Sequence, residues 1–327
     1  MGRASRCSKP PSQKKRAPAQ RRNHPYFHVH EHKLRDGPTL GELRRDYATI
    51  NSTSSDFVEY SEFKVITFDH LDPTRHHVLL GPDGSVLGYY IPAEDVTPRL
   101  PTDFHSTLSR LVKDLPSIGK GEEDKNMTRR RGIRDSRTYV SSRGCRAKNI
   151  LDYSASYKKD NHKGGRGEAV VRHCQPLWDF AGTVYKKVAK KYAEDLDHHD
   201  IPMQQFHLAP LAKPFTALTI NRGSPDSPVV SQPHRDVKDA YFQLSLLFPF
   251  GSYKEGHGDL ILWELKKIVR LKPGSLFFFP AHLITHSNTP VTIGERDSLV
   301  AYTREEMKTY YVKQGVEGVR TRLRVNT

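Results

Sequence analysis

The residues most able to do chemistry together are His234 and Asp236 in Ser231-Gln-Pro-His234-Arg-Asp236-Val-Lys-Asp239, and a histidine in Pro280-Ala-His282-Leu-Ile-Thr-His286. Side chains alternate along an extended segment, so His234 and Asp236 fall on one side of it. A third imidazole from a later strand would complete one face of an octahedral metal. Two histidines and one carboxylate that leave adjacent positions open suit a non-haem Fe(II) that activates O2. After His286 come Pro290, Gly294, Arg296 and Ser298. An arginine fork with a neighbouring hydroxyl is a fitting anchor for the carboxylate of an anionic cosubstrate. A bare His-x-Asp is a weak signal, and His70-Leu-Asp72 and His257-Gly-Asp259 match it equally. His70 has no suitable second half downstream, and His257 sits in a glycine turn that opens a strand.

These residues need a rigid frame, and the sequence from Phe215 onward supplies one. Phe215–Ile220, Tyr241–Phe248, Asp259–Trp263, Ile268–Leu271, Ser275–Phe279 and Asp297–Tyr302 read as strands, most of them separated by Pro/Gly turns. Many short strands at regular spacing predict a sandwich or barrel. Upstream, Leu177, Phe180, Val184, Val188, Tyr192 and Leu196 form one apolar stripe over 176–196, with Pro176 suited to the first turn. This predicts a helix packed on the sheet. Shorter helices are expected over 40–50 and from Phe104 to Leu115. Val78–Leu80, Gly81-Pro-Asp-Gly84 and Val86–Ile91 read as a hairpin. His24, His28, His30 and His32 carry no accompanying carboxylate or cysteine pattern and make a poor metal tract.

The chain has 327 residues and a formal net charge of +15, and that charge is unevenly placed. Residues 1–25 hold eight Lys/Arg and no acid, and residues 125–172 hold fourteen Lys/Arg against four acids, which leaves the remainder close to neutral. Arg129, Arg130, Arg131, Arg134, Arg137, Arg143, Arg146 and Lys148 interleave with Tyr139, Tyr153 and Tyr157. Guanidinium groups take phosphates and rings stack on bases, so this pattern suits a nucleic-acid surface. A long solvated loop is the plainer alternative. Residues 1–25 are too polar to repay the entropy of ordering and are expected to be disordered. Their Lys14-Lys15-Arg16 and Arg21-Arg22 clusters suit a nuclear localisation signal. No apolar run is long enough for a transmembrane helix, and Cys7, Cys145 and Cys174 form neither a disulfide framework nor a zinc pattern. A reducing interior compartment fits best.

His234-Arg-Asp236, Gly256-His-Gly-Asp-Leu260, Pro273-Gly-Ser-Leu-Phe-Phe-Phe279, His286 and Gly-Glu-Arg296 together resemble the 2-oxoglutarate/Fe(II) dioxygenases. His282 competes for the distal position, but the ten-residue spacing to Arg296 favours His286. Within that superfamily the chain most resembles the TET/JBP group, in particular its fungal members. The resemblance rests on Leu218-Thr-Ile-Asn221-Arg, His234-Arg-Asp-Val-Lys-Asp239-Ala, Leu283-Ile-Thr-His286-Ser-Asn-Thr-Pro290 and Gly-Glu-Arg296-Asp-Ser298-Leu-Val-Ala-Tyr302.

It implies an α+β chain with a double-stranded β-helix (jelly roll) core, packing helices and a long basic insertion. The expected parts are a basic tail (1–25), an α/β extension (26–116), a DNA-contacting basic insertion (117–175), the dioxygenase core (176–312) and a C-terminal tail (313–327). It also implies Fe(II) on His234, Asp236 and His286, 2-oxoglutarate held by Arg296 and Ser298, and O2 as oxidant. Asn221 would lie near 2-oxoglutarate or the base, Asp239 would contact a flipped base, and Tyr302 would stack on it. A strand-end cap for Asn221 and a core ring for Tyr302 are the alternatives. The implied partner is double-stranded DNA, contacted in part by Arg129, Arg130 and Arg131. The implied substrate is 5-methylcytosine, taken to its hydroxymethyl, formyl and carboxyl forms, with N6-methyladenine a further option. The protein is expected to be nuclear, monomeric and without a membrane partner. The cysteine-rich zinc region of the animal enzymes has no counterpart here. A prolyl-hydroxylase-like protein oxygenase and a non-catalytic nucleic-acid-binding jelly roll are the rival readings.

Overall fold

The computed structural model of the chain describes residues 29–46, 60–119, 121, 123, 135–143, 151–162, 164–189, 208–223, 230–241, 243–305 and 307. The basic tail, Arg129–Arg131 and the C-terminal tail lie outside them. The N-terminal part supplies β1 (Val29–Lys33), α1 (Leu40–Asp46), β2 (Lys64–Ile66), α2 (Phe68–Leu71), β3 (His76–Leu80) and β4 (Val86–Ile91), then α3 (Ala93–Val96) and α4 (Phe104–Lys113). Thr39 and Glu42 cap α1 reciprocally: the Thr39 N–H donates to Glu42 Oε2 at 2.7 Å and the Glu42 N–H to Thr39 Oγ1 at 3.1 Å. The middle of the chain forms β5 (Asp135–Arg143), β6 (Leu151–Tyr153), α5 (Ala155–Asn161), α6 (Arg166–His173) and α7 (Gln175–Val188). The last part is strand-rich: β7 (Ala217–Arg222), β8 (Ser245–Gly251), β9 (Leu260–Leu262), β10 (Lys267–Val269), β11 (Leu276–Phe279), β12 (His286–Asn288) and β13 (Arg296–Tyr302). No helix among the described residues is long and apolar enough to cross a membrane.

Two sheets result. The major sheet runs β1-β3-β4-β11-β8-β13-β7-β5-β6 and the minor sheet β12-β9-β10-β2. From β7 onward the chain alternates between them. β7, β8, β11 and β13 lie in the major sheet, β9, β10 and β12 in the minor one, and residue 234 bridges to β12 at the minor sheet's edge. This winding is that of a double-stranded β-helix.

The winding buries both faces of the central strands, which explains near-continuous apolar runs such as Leu276–Phe279. Alternate residues still divide cleanly. Leu218, Ile220, Phe248, Phe250, Phe278, Leu299 and Ala301 pack with Phe104 and Leu108 of α4 and with Leu177, Trp178 and Tyr185 of α7. Leu247, Phe277 and Phe279 point the other way, between the sheets, and join Leu260, Leu262, Val269 and Ile284. On β13, Leu299 and Ala301 belong to the helix side, so alternation sends Arg296, Ser298, Val300 and Tyr302 to the inner side.

Several segments differ from the sequence-based expectation: β8 begins at Ser245 rather than Tyr241, and of the helices expected over 40–50 and 176–196 the described parts are Leu40–Asp46 and Gln175–Val188, with Tyr192 and Leu196 outside the described residues. β12 is short and polar, so nothing in its composition announced a strand. Part of the basic segment is ordered interior: β5 pairs along β7, from Asp135↔Arg222 to Val140↔Ala217. Arg137 and Tyr139 therefore do not face a nucleic acid. Both are buried and meet Asp160, which accepts from Tyr139 Oη at 2.5 Å and from Arg137 Nη1 at 3.2 Å. Tyr157 is interior as well. A carboxylate arriving from α5 makes an arginine affordable inside the protein.

Asp297 on β13 faces the helix side, where its Oδ1 accepts the Gly223 N–H at 2.8 Å. Burial, reinforced by the charge of Glu295, pushes its carboxyl up to about 6. The folded state therefore binds this proton more tightly than the unfolded chain does. The stability it contributes is complete below pH ~4 and is lost as pH rises through about 6. Asp297→Asn is expected to flatten that slope in urea unfolding between pH 4 and 7, by on the order of 3 kcal/mol. An unchanged slope would show that another group carries it.

Candidate metal centre

Residues 231–236 run beside β12 and are fixed to it at several points. His234 and His286 exchange both backbone bonds, N–H to O at 2.9 and 2.7 Å. The Asp236 N–H donates to the Ala281 carbonyl at 3.0 Å. At the other end Asn288 Oδ1 accepts from the Ser231 N–H at 2.7 Å and from its hydroxyl at 2.8 Å.

The backbone also sets the imidazoles. His234 Nδ1 lies 2.7 Å from the Gln232 carbonyl and His286 Nδ1 lies 3.0 Å from the Ile284 carbonyl. A carbonyl only accepts, so each Nδ1 carries a proton, and in the neutral ring Nε2 is then the nitrogen with the lone pair. Both Nε2 atoms then face one carboxylate: His234 Nε2 to Asp236 Oδ1 and His286 Nε2 to Asp236 Oδ2 are each 3.7 Å. The three donor atoms lie within 4.8 Å of one another. Phe279 meets the His286 ring edge-on at 5.0 Å between centroids, giving the site an apolar wall. Histidines that donate their second nitrogen to a backbone carbonyl are held in the tautomer and orientation a metal needs. The donor set fits Fe(II).

The competing histidines are engaged elsewhere. His282 is buried against Tyr241, and burial with the charges of Arg44 and Arg235 lowers its pKa to about 3. His257 Nδ1 accepts the Thr292 N–H at 3.2 Å, while Asp259 pairs with Arg270 at 3.1 Å. Asp72 bonds Thr74 and Arg75.

Arg296 enters from β13 and is 3 % exposed. Its Nε is buried with no hydrogen-bond partner among the described residues. The face of Tyr253 lies 5.7 Å from the guanidinium carbon. Gly258, at φ +69°, lets the arginine pass, since a Cβ there would fall 2.3 Å from Arg296 Cδ. Asp259 lends negative charge nearby: its Oδ2 accepts from Arg270 Nε at 3.1 Å, while its buried Oδ1 has no hydrogen-bond partner among the described residues. A buried cation with an unfilled donor is a fitting seat for an anion.

Ser298, two residues on and also buried, accepts from Asn221 Nδ2 at 3.2 Å. Asn221 in turn accepts from Ser136 Oγ at 2.8 Å. Asn221 thus links β5, β7 and β13 in one polar row that orients the Ser298 hydroxyl. Asp239 is buried, its N–H bonded to the Asp236 carbonyl at 2.8 Å and its Oδ2 accepting from Ser245 Oγ at 2.8 Å. Burial and the charge of Asp236 push its carboxyl well above the usual range. Tyr302 Oη lies 3.3 Å from Thr219 Oγ1, and burial with the nearby Asp239 pushes it up to about 12. Arg235, Glu264, Phe279 and Tyr253 were not singled out in the sequence. Their contacts come from distant parts of the chain, and only the position of Arg235 between the donors hinted at any of them.

No protein-family model and no curated protein matches the sequence. Among solved structures, the chain is similar to NgTET1 in complex with 5mC DNA, at a TM-score of 0.50 and 18 % identity over 83 % of this chain and 93 % of that one. The two share a fold. Weaker likenesses are to an oxidoreductase of the 2OG-Fe(II) oxygenase family from Burkholderia pseudomallei (TM-score 0.38, 12 % identity, 66 % of this chain and 84 % of that one) and to the viral collagen prolyl hydroxylase of Paramecium Bursaria Chlorella virus-1 (TM-score 0.23, 20 % identity, 37 % and 71 %).

Titration with Co(II), followed by its visible absorption, is expected to show one site in the parent chain. His234→Ala, Asp236→Ala and His286→Ala should each abolish it, and His257→Ala should leave it intact. Retention in any of the first three would place the metal elsewhere.

Proposed function

We propose that the chain is an Fe(II)/2-oxoglutarate-dependent dioxygenase of the TET/JBP kind that oxidises the methyl group of a modified base in DNA. The observation that carries the oxygenase reading is the pairing of two Nδ1-anchored histidines and Asp236 with the buried, unfilled Nε of Arg296. When bound, Fe(II) with 2-oxoglutarate would supply the activation of O2 and the oxidation of a C–H bond. The protein's part is placement. His234, Asp236 and His286 present three donors from one side and leave the remaining positions to cosubstrate and oxidant. Arg296 offers its guanidinium to the distal carboxylate of 2-oxoglutarate, and Ser298, oriented by Asn221, can add a hydroxyl donor. Phe279 shields the His286 side of the centre from water.

The DNA part of the proposal rests on the distribution of charge and on the likeness to a protein solved with 5mC DNA. A base must leave the stack to reach a site set between two sheets. That costs a few kcal/mol, which phosphate contacts offset. We assign those contacts to the basic segments, with Arg129, Arg130 and Arg131 among them, and contact with the extruded base to Asp239 and Tyr302. 5-Methylcytosine is the favoured substrate, with N6-methyladenine second. A nuclear, monomeric enzyme completes the proposal.

The test is 2-oxoglutarate turnover with methylated DNA, unmethylated DNA and proline-rich peptides, with the bases followed by mass spectrometry. Turnover and oxidised bases are expected with methylated DNA alone. Turnover with peptide alone would move the chain to the protein hydroxylases. No turnover with any substrate, despite bound iron, would overturn the oxygenase reading.

A further inference from the structure

We infer that Arg235, Glu264 and Thr285 form a positioning clamp that sets the distance between the two metal-binding segments. The inference rests on reading His234, Asp236 and His286 as a metal centre. Arg235 stands between two of those donors in sequence, and Thr285 immediately precedes the third. Arg235 Nε donates to Thr285 Oγ1 at 3.1 Å, and its Nη2 donates to Glu264 Oε1 at 2.5 Å. Thr285 gives its hydroxyl to Glu264 Oε1 at 2.6 Å and its backbone N–H to Glu264 Oε2 at 2.8 Å. The carboxylate of Glu264 therefore grips residue 285 twice and residue 235 once. Glu264 is itself anchored beside β9, whose following residue Trp263 donates its N–H to the Thr285 carbonyl at 3.0 Å.

Physical cost argues that this network does more than hold the sheet together. The side chains of Arg235 and Glu264 are 6 % and 18 % exposed, so both charges have lost most of their hydration. An apolar trio of similar volume often stabilises a fold as well as or better than a buried ion pair. What an apolar trio lacks is direction. Here one bond, Arg235 Nε to Thr285 Oγ1, joins the two metal-binding segments directly, and the other three tie both of them to the single carboxylate of Glu264 beside β9. Groups hydrogen-bonded directly to metal ligands typically change metal affinity ~10–100-fold when removed, and the clamp, acting one step further out through the backbone, is expected at the low end of that range.

The test uses the full chain and Co(II) alone, read by its visible absorption. Glu264→Gln keeps the shape and removes the charge; it is expected to weaken Co(II) binding by about 10-fold. Thr285→Val removes one hydroxyl and leaves the ion pair in place, with a several-fold loss expected. It also carries the test if Glu264→Gln fails to fold by circular dichroism. Asp160→Asn, at the buried Arg137 pair of β5 and α5, is the control: it should lower thermal stability with Co(II) affinity unchanged. A parent chain that takes up no Co(II) would overturn the metal-centre reading and the clamp with it. A parent chain that binds, alongside folded variants that bind equally tightly, would overturn the clamp alone.

Discussion

The site depends on one pair of backbone hydrogen bonds, those exchanged between His234 and His286. They bring residues from two separate stretches of the minor-sheet edge into register, so that both imidazoles stand over Asp236. A slip of one residue on either side would turn a histidine to the opposite face and leave the carboxylate with one partner. The Nδ1 bonds to Gln232 and Ile284 complete the setting, because they are made to carbonyls two residues away from each ring. Ring orientation is thus written into the same backbone that sets the register.

The fold supplies the rigidity this arrangement needs. β13 is paired on both sides, by β7 and β8, and carries Arg296 and Ser298 on its inner face, opposite Leu299 and Ala301. An anion held by Arg296 would therefore be referenced to an interior strand of the major sheet, while the metal donors are referenced to the minor one. The two sheets share an apolar filling that includes Leu247, Phe277, Phe279, Leu262 and Ile284.

Much of this was legible in the sequence, for physical reasons that can be named. His234-x-Asp236 is a local pattern whose geometry follows from strand alternation, and the ten-residue step from His286 to Arg296 spans one strand, one turn and the start of the next strand. The long apolar runs and their Pro/Gly punctuation marked most core strands. Features that depend on distant partners were not legible. Glu264 is an ordinary acid until Arg235 and Thr285 meet it. Arg137 reads as one more cation in a basic stretch, and only Asp160 on α5 makes it an interior residue. β12 is polar because its neighbours, not its composition, make it a strand. Asn221 matched a motif, but its bonds to Ser136 and Ser298 depend on β5 lying where the sequence suggested a loop.

On this reading one metal and one dicarboxylate share the site, the first on His234, Asp236 and His286 and the second reaching from it to Arg296. Anaerobic titration of the chain with Fe(II) and then 2-oxoglutarate, followed by calorimetry and visible absorption, tests that claim most directly. One Fe(II) per chain is expected, with a new visible band on adding 2-oxoglutarate, no band in Asp236→Ala, and weaker 2-oxoglutarate binding with intact Fe(II) binding in Arg296→Met. Tight binding of 2-oxoglutarate without Fe(II), or equal binding in Arg296→Met, would contradict that reading.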